Sequence, residues 1–146
     1  CSTHGDFRDF VLARIMDVGE AASSDVDPSW DEEWRRLVTI RIAPNPALPR
    51  EQRAAIEFDY GMSKGELAVP MRVCHSFYFE RLHGLDTDPS TVDPKRQQVV
   101  LLNRHEVDLA RSDARAVAKT AVARQRVVSP DGRPDPTPGS TGRGTP

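Results

Sequence analysis

Two arginines near the front of the chain, Arg8 and Arg14, are the side chains whose type and spacing best suit chemistry. They lie in "GDFRDFVLARI", Gly5 to Ile15. Read as a strand, this segment puts Arg8, Phe10, Leu12 and Arg14 on one face, with Phe7, Asp9, Val11, Ala13 and Ile15 on the other. A guanidinium group offers forked donors that match phosphate oxygens. Six residues of strand cover roughly 20 Å, so on a flat strand the two heads would meet separate phosphates. An oligonucleotide or dinucleotide suits that spacing better than a lone small anion. The plainer alternative is a sheet edge whose arginine stems lie on apolar surface while the heads reach water.

Other chemistry finds less support. His4, His75, His83 and His105 are scattered, and no C-x-x-C or H-E-x-x-H spacing exists, so no metal site is expected. There is no G-x-S-x-G, and Cys74 has no evident base; it reads as a small core residue. Asp31, Glu32 and Glu33 read as a solvated acidic run, and the pairs Asp25/Asp27 and Asp86/Asp88 lack a calcium-loop pattern. Gly61 and Gly65 could form a phosphate nest around Met62 to Lys64, but a helix stop followed by a turn explains both. The chain therefore reads as a non-enzyme without a cofactor.

The elements that must position the arginines follow from periodicity. Residues 1–16 read as a strand with its lead-in. Residues 17–34 are acidic and polar, a surface connection with Trp30 and Trp34 as apolar anchors. "WRRLVTIRIAP" alternates as a strand, with Val38, Ile40 and Ile42 on one face. "PREQRAAIEFDYG" is a helix, with Pro49 at its first position and Gly61 at its end. "GELAVPMRV" is a strand in which Pro70 marks an edge or bulge. "CHSFYFERLHGLD" has helical spacing, with Cys74, Phe77, Tyr78, Leu82 and Leu85 aligned and Gly84 stopping the helix. "QQVVLLN" reads as a buried strand. Beyond Arg104 the apolar residues are mostly Ala and Val, which suggests partial helix. The end, rich in Pro, Gly, Ser and Thr, cannot bury enough to order itself. This order predicts an α+β fold: a ferredoxin-like small sheet with two helices on one face, and room at "MSKGE" for one more short strand.

Composition sets the remaining bounds. With 146 residues the chain allows one domain plus appendages. Its net charge of −2 gives no general pull toward nucleic acid or membrane, so an anion site must be local. No apolar run approaches the roughly 20 residues a membrane helix needs. Two cysteines make no disulfide framework, which points to a reducing, cytoplasmic setting. A start at Cys1 that runs straight into a strand pattern suggests a piece of a longer protein.

Several stretches together resemble a known family. In "GDFRDFVLARI", Arg8, Phe10, Arg14 and Ile15 match the approximate R-x-F-x-x-x-R-I pattern of the last strand of a WYL domain. "LVTIRIAPNPALPREQRAAIEFDYGM", "VPMRVCHSFYFERLHGLD" and "QQVVLLNR" resemble the C-terminal extension, often called WCX, of proteobacterial WYL regulators. The Trp-Tyr-Leu motif itself and any DNA-binding helix pair are absent from this sequence. The resemblance implies a bacterial transcriptional regulator with an Sm-like β-barrel WYL domain, of which residues 1–16 would be an orphan strand. Residues 17–34 would be a connector, 35–107 the WCX-like domain, and 108–146 a partly helical to disordered tail. It further implies a homodimer and promoter DNA bound through an N-terminal domain not in this sequence. Arg8 and Arg14 would contact a nucleotide or single-stranded nucleic-acid effector. The rival is an α+β interaction module without a ligand site.

Overall fold

Alternation of apolar and polar residues builds the central strand, β1 (Leu37–Pro44). Val38, Ile40 and Ile42 share one face and are buried, while Leu37 and Arg41 on the other face are exposed. The computed structural model describes residues 7–10, 12–20 and 26–128. Ahead of β1 lie two 3-10 turns, Leu12–Arg14 and Pro28–Trp30, and a short helix α1 (Glu32–Arg35). After it come α2 (Arg50–Asp59), β2 (Leu67–Arg72), α3 (Val73–Leu82), β3 (Val99–Leu101) and α4 (Arg104–Val128).

The three strands form one antiparallel sheet in the order β2-β1-β3. Register follows from the buried face: Val38 opposes Met71, Ile40 opposes Val69, and Ile42 is flanked by Leu67 and Leu101. Pro70 stands in β2, an outer strand, where its missing N–H costs no ladder bond. The extra strand expected at "MSKGE" is reduced to an isolated bridge between Ser63 and Glu66. Lys64 and Gly65 both have positive φ there (54° and 78°), a two-residue hairpin turn closed by reciprocal Ser63–Glu66 bonds of 2.9 and 3.1 Å.

The helices share the face of the sheet that carries Val38, Ile40 and Ile42. Ile56 of α2, Val73 of α3, and Val107 and Ala114 of α4 join these residues in one core with Leu48, Leu85 and Val99. Three helices therefore cover this face, where two were expected. The third is α4. Its Ala114 and Ala118 are buried and, having small side chains, let the helix approach its neighbours closely. The expected change of character at residue 108 thus falls inside a continuous core helix, which runs to Val128. Of the expected tail, the stretch from residue 129, read as disordered, lies outside the described residues.

Two further expectations need correction. The inward face of α3 is Val73, Ser76 and Glu80, whereas Phe77 and Tyr78 are half exposed and Leu82 is 81 % exposed. The helix leaves β2 without a loop, so Val73 sets its rotation. The polar Ser76 and Glu80 can turn inward because arginines of α4 meet them. Its end is as expected: Gly84 has φ 64°, and Leu85 N–H donates to Glu80 O at 2.8 Å with the Leu85 side chain buried. The second correction concerns the opening segment, which is no strand where it is described. Arg8 lies in irregular backbone, and Arg14 ends a 3-10 turn in which Ile15 N–H donates to Leu12 O at 3.1 Å. A lone strand leaves its N–H and C=O groups unpaired. With no strand beside it among the described residues, the segment makes a local bond instead.

Candidate functional site

The acids of the connector act as helix caps. Asp27 Oδ1 accepts from Ser29 N–H at 2.8 Å and opens the Pro28–Trp30 turn; Asp31 Oδ1 accepts from Trp34 N–H at 3.1 Å and opens α1. The bonds from Ser29 hold the Asp27 carboxyl below its ordinary range. So anchored, α1 packs on α3 and α4, and the run read as solvated surface becomes one wall of a cleft.

That cleft, of about 520 Å³, lies between α1, the start of α3, the α4 segment from Arg111 to Lys119, and residues 7–9. Arg111, Arg115 and Lys119 follow one another at four-residue steps and so share one face of α4. Trp34, Phe77 and Tyr78 supply aromatic surface. Arg8 also lines the cleft, but Arg14 does not, so the structure does not bring the two arginines together on one strand face. Both are exposed.

Most charges in the cleft are already engaged. Arg115 pairs with Glu33 at 3.1 Å. Arg111 pairs with buried Glu80 and with Asp108 (3.3 Å), and its Nε donates to Ser76 Oγ at 2.8 Å. Asp9 accepts from the Tyr78 hydroxyl at 3.4 Å, tying residues 7–10 to α3. Arg8 and Lys119 make no ion pair among the described residues. Arg72 lies over the Trp34 ring with its guanidinium carbon 4.6 Å from the centroid, and His75 meets the same ring edge-on at 5.7 Å.

The chemistry of bond-making is not built here. Burial, followed by the nearby Asp9 and Asp31 carboxylates, pushes the Cys74 thiol up, the reverse of what a nucleophile needs. Cys74 lines the cleft and is only partly buried, not the core residue expected. His75 and His83 are occupied by aromatic contacts to Trp34 and Phe79. Among the described residues no group of three His, Cys, Asp or Glu could hold a metal ion, and no helix is long and apolar enough to cross a membrane. The α4 stripe was missed in the sequence because the Ala-rich text around it was read as a tail. The four-residue spacing of Arg111, Arg115 and Lys119 was the available signal.

Fold and cleft together define a small α+β module with helices packed on one face of its sheet. Residues 37–107 match the family model of the BrxR transcriptional regulator, C-terminal dimerization domain. The chain is 37 % identical over 109 residues to the DNA-binding transcriptional repressor CapW of Stenotrophomonas maltophilia, covering 73 % of this chain and 36 % of that protein. CapW proteins of Escherichia coli (30 %) and Pseudomonas aeruginosa (31 %) match over 107 residues with the same coverage. The chain thus spans about a third of the length of these relatives. The matched part is thus similar to a C-terminal dimerization domain of transcriptional regulators of the BrxR and CapW type. These matches are to regulators and not to an enzyme.

Proposed function

We propose that this chain is the dimerising and effector-responsive C-terminal part of a cytoplasmic DNA-binding transcriptional repressor. The observation that carries this reading is the match of residues 37–107, the whole sheet with α2 and α3, to a dimerization domain. Pairing two copies sets two DNA-binding domains, supplied by sequence ahead of this chain, at a fixed separation for two half-sites of a promoter. Residues 1–16 are the end of a WYL domain in this reading, and Arg8 and Arg14 contact a nucleotide or single-stranded nucleic acid. Their exposure and the place of Arg8 in the cleft support that role. We read the sheet as ferredoxin-like with one edge strand reduced to the Ser63–Glu66 bridge; the order β2-β1-β3 supports this.

The test uses the intact regulator that contains this chain. Deleting residues 37–128 is expected to turn a dimer into a monomer and to weaken binding to its own promoter. A deletion protein that still dimerises and binds as before overturns the proposal.

A further inference from the structure

We infer that the face of the sheet opposite the helices seats a second copy of this chain, with Arg41 of each copy set against the partner's Glu66. This rests on the dimerising reading above and deepens it by naming the surface. The core takes Val38, Ile40 and Ile42 of β1 and leaves out Leu37, Thr39, Arg41 and Ala43, which share the other face. Beside that row on β2 stand Pro70, opposite Thr39, and Ala68, opposite Arg41, both exposed. Leu37, at the end of the row, is 67 % exposed. A sheet side that faces water normally alternates to polar residues; here Leu37, Ala43, Ala68 and Pro70 keep it largely apolar. Both strands lie within the region matched to a dimerization domain.

The edges of the sheet are poorly suited to a second copy, which leaves this face. Asn103 bonds Thr39 O and Arg41 N–H on the β3 side of β1. Their partners on β2, Pro70 and Ala68, therefore turn their backbone groups to the outer edge. Pro70 interrupts that edge, having no N–H to offer a further strand. The other outer strand, β3, is only three residues long. Charge favours a copy of the chain over a partner of one sign. Arg41 and Glu66 pair at 2.7 Å with both side chains half exposed, and Arg72 is turned to the Trp34 ring. A two-fold contact must complement itself. An adjacent cation and anion do so, because rotation sets each against its opposite.

The test is sedimentation equilibrium of the chain and its variants. Arg41→Glu makes the pair wholly acidic, and Glu66→Arg makes it wholly basic. Each variant alone is expected to dimerise about tenfold more weakly, or worse, because like charges meet. An equimolar mixture of the two should form a heterodimer within about threefold of the original affinity. A role of the pair within one copy cannot produce that recovery. Leu37→Glu/Ala68→Glu puts carboxylates opposite Arg72 and Arg41 of the same sheet, where a single copy tolerates them. It should weaken dimerisation by about 100-fold. Phe58→Ser, on α2 and 87 % exposed, should leave it within about twofold. If the charge variants and Leu37→Glu/Ala68→Glu all keep the original affinity, or Phe58→Ser alone abolishes it, the face is overturned and the dimerising reading stands. If they keep the dimer but weaken promoter binding by the intact regulator, the face seats DNA or an upstream domain, and the second copy is overturned. A mixture that stays monomeric overturns the opposed charges. An unmodified chain that is monomeric overturns both readings.

Discussion

The Arg111 guanidinium and the Glu80 carboxylate meet at the contact of α3 with α4, both withdrawn from water: 4 % of the Glu80 side chain and 17 % of that of Arg111 are exposed. Arg104 approaches the other carboxylate oxygen at 3.5 Å but is itself 42 % exposed. Removing one partner of a buried pair leaves the other charge uncompensated, whereas an exposed ion pair contributes little. Glu80→Ala is expected to destabilise the chain by about 3 kcal/mol. Arg104→Ala should cost less, about 1–2 kcal/mol, because solvent screens its ion pair and the main loss is its hydrogen bond to the Leu85 carbonyl. Urea unfolding of the two variants checks the contrast; equal losses would contradict it.

Asn103 extends the sheet with a side chain. Its Oδ1 accepts from Arg41 N–H at 2.9 Å and its Nδ2 donates to Thr39 O at 2.8 Å, as a neighbouring strand's peptide would. The free edge of β1 is thereby closed where β3 ends. Asn103→Ala should cost about 2 kcal/mol, since both backbone groups lose their partner. Asn103→Asp keeps an acceptor but loses the donor to Thr39 and should fall between. Thermal or urea denaturation gives the order; a neutral Asn103→Ala would contradict this role.

Packing of α4 can be tested against its expected tail-like character. Ala114→Leu puts extra methylene groups into a filled contact and is expected to cost about 1–3 kcal/mol. Leu82→Ser, on the exposed side of α3, should stay within about 0.5 kcal/mol. A neutral Ala114→Leu would mean that α4 does not belong to the core.

Much of the sheet was legible in the sequence, since β1 buries one face and its alternation is strict. The left-handed helix stops at Gly61 and Gly84 were legible too, because only glycine adopts that conformation without strain. What was hidden depends on partners distant in sequence. The rotation of α3 hangs on arginines some thirty residues later, so its aromatics suggested the wrong inward face. The stripe on α4 hides among alanines that look like a weak helix alone and become core only against α1 and α3. The arginines at the front matched a motif, but a strand needs a neighbour, and the described residues supply none.

The docking of residues 7–10 onto α3 has a titration signature. The Asp9 carboxylate, foremost, and then burial push the Tyr78 phenol above its ordinary value, because both disfavour the phenolate. Asp9→Asn should lower it again. Ultraviolet difference titration in a Tyr60→Phe background isolates this phenol from the chain's second tyrosine. An identical curve for both proteins would detach the segment from α3.

The mass of the chain in solution reports dimerisation most directly. Sedimentation equilibrium across the micromolar range is expected to show twice the chain mass of 16.2 kDa, with dissociation on dilution. A single 16.2 kDa species at every concentration would contradict the assignment of residues 37–107 as a self-sufficient dimerization domain.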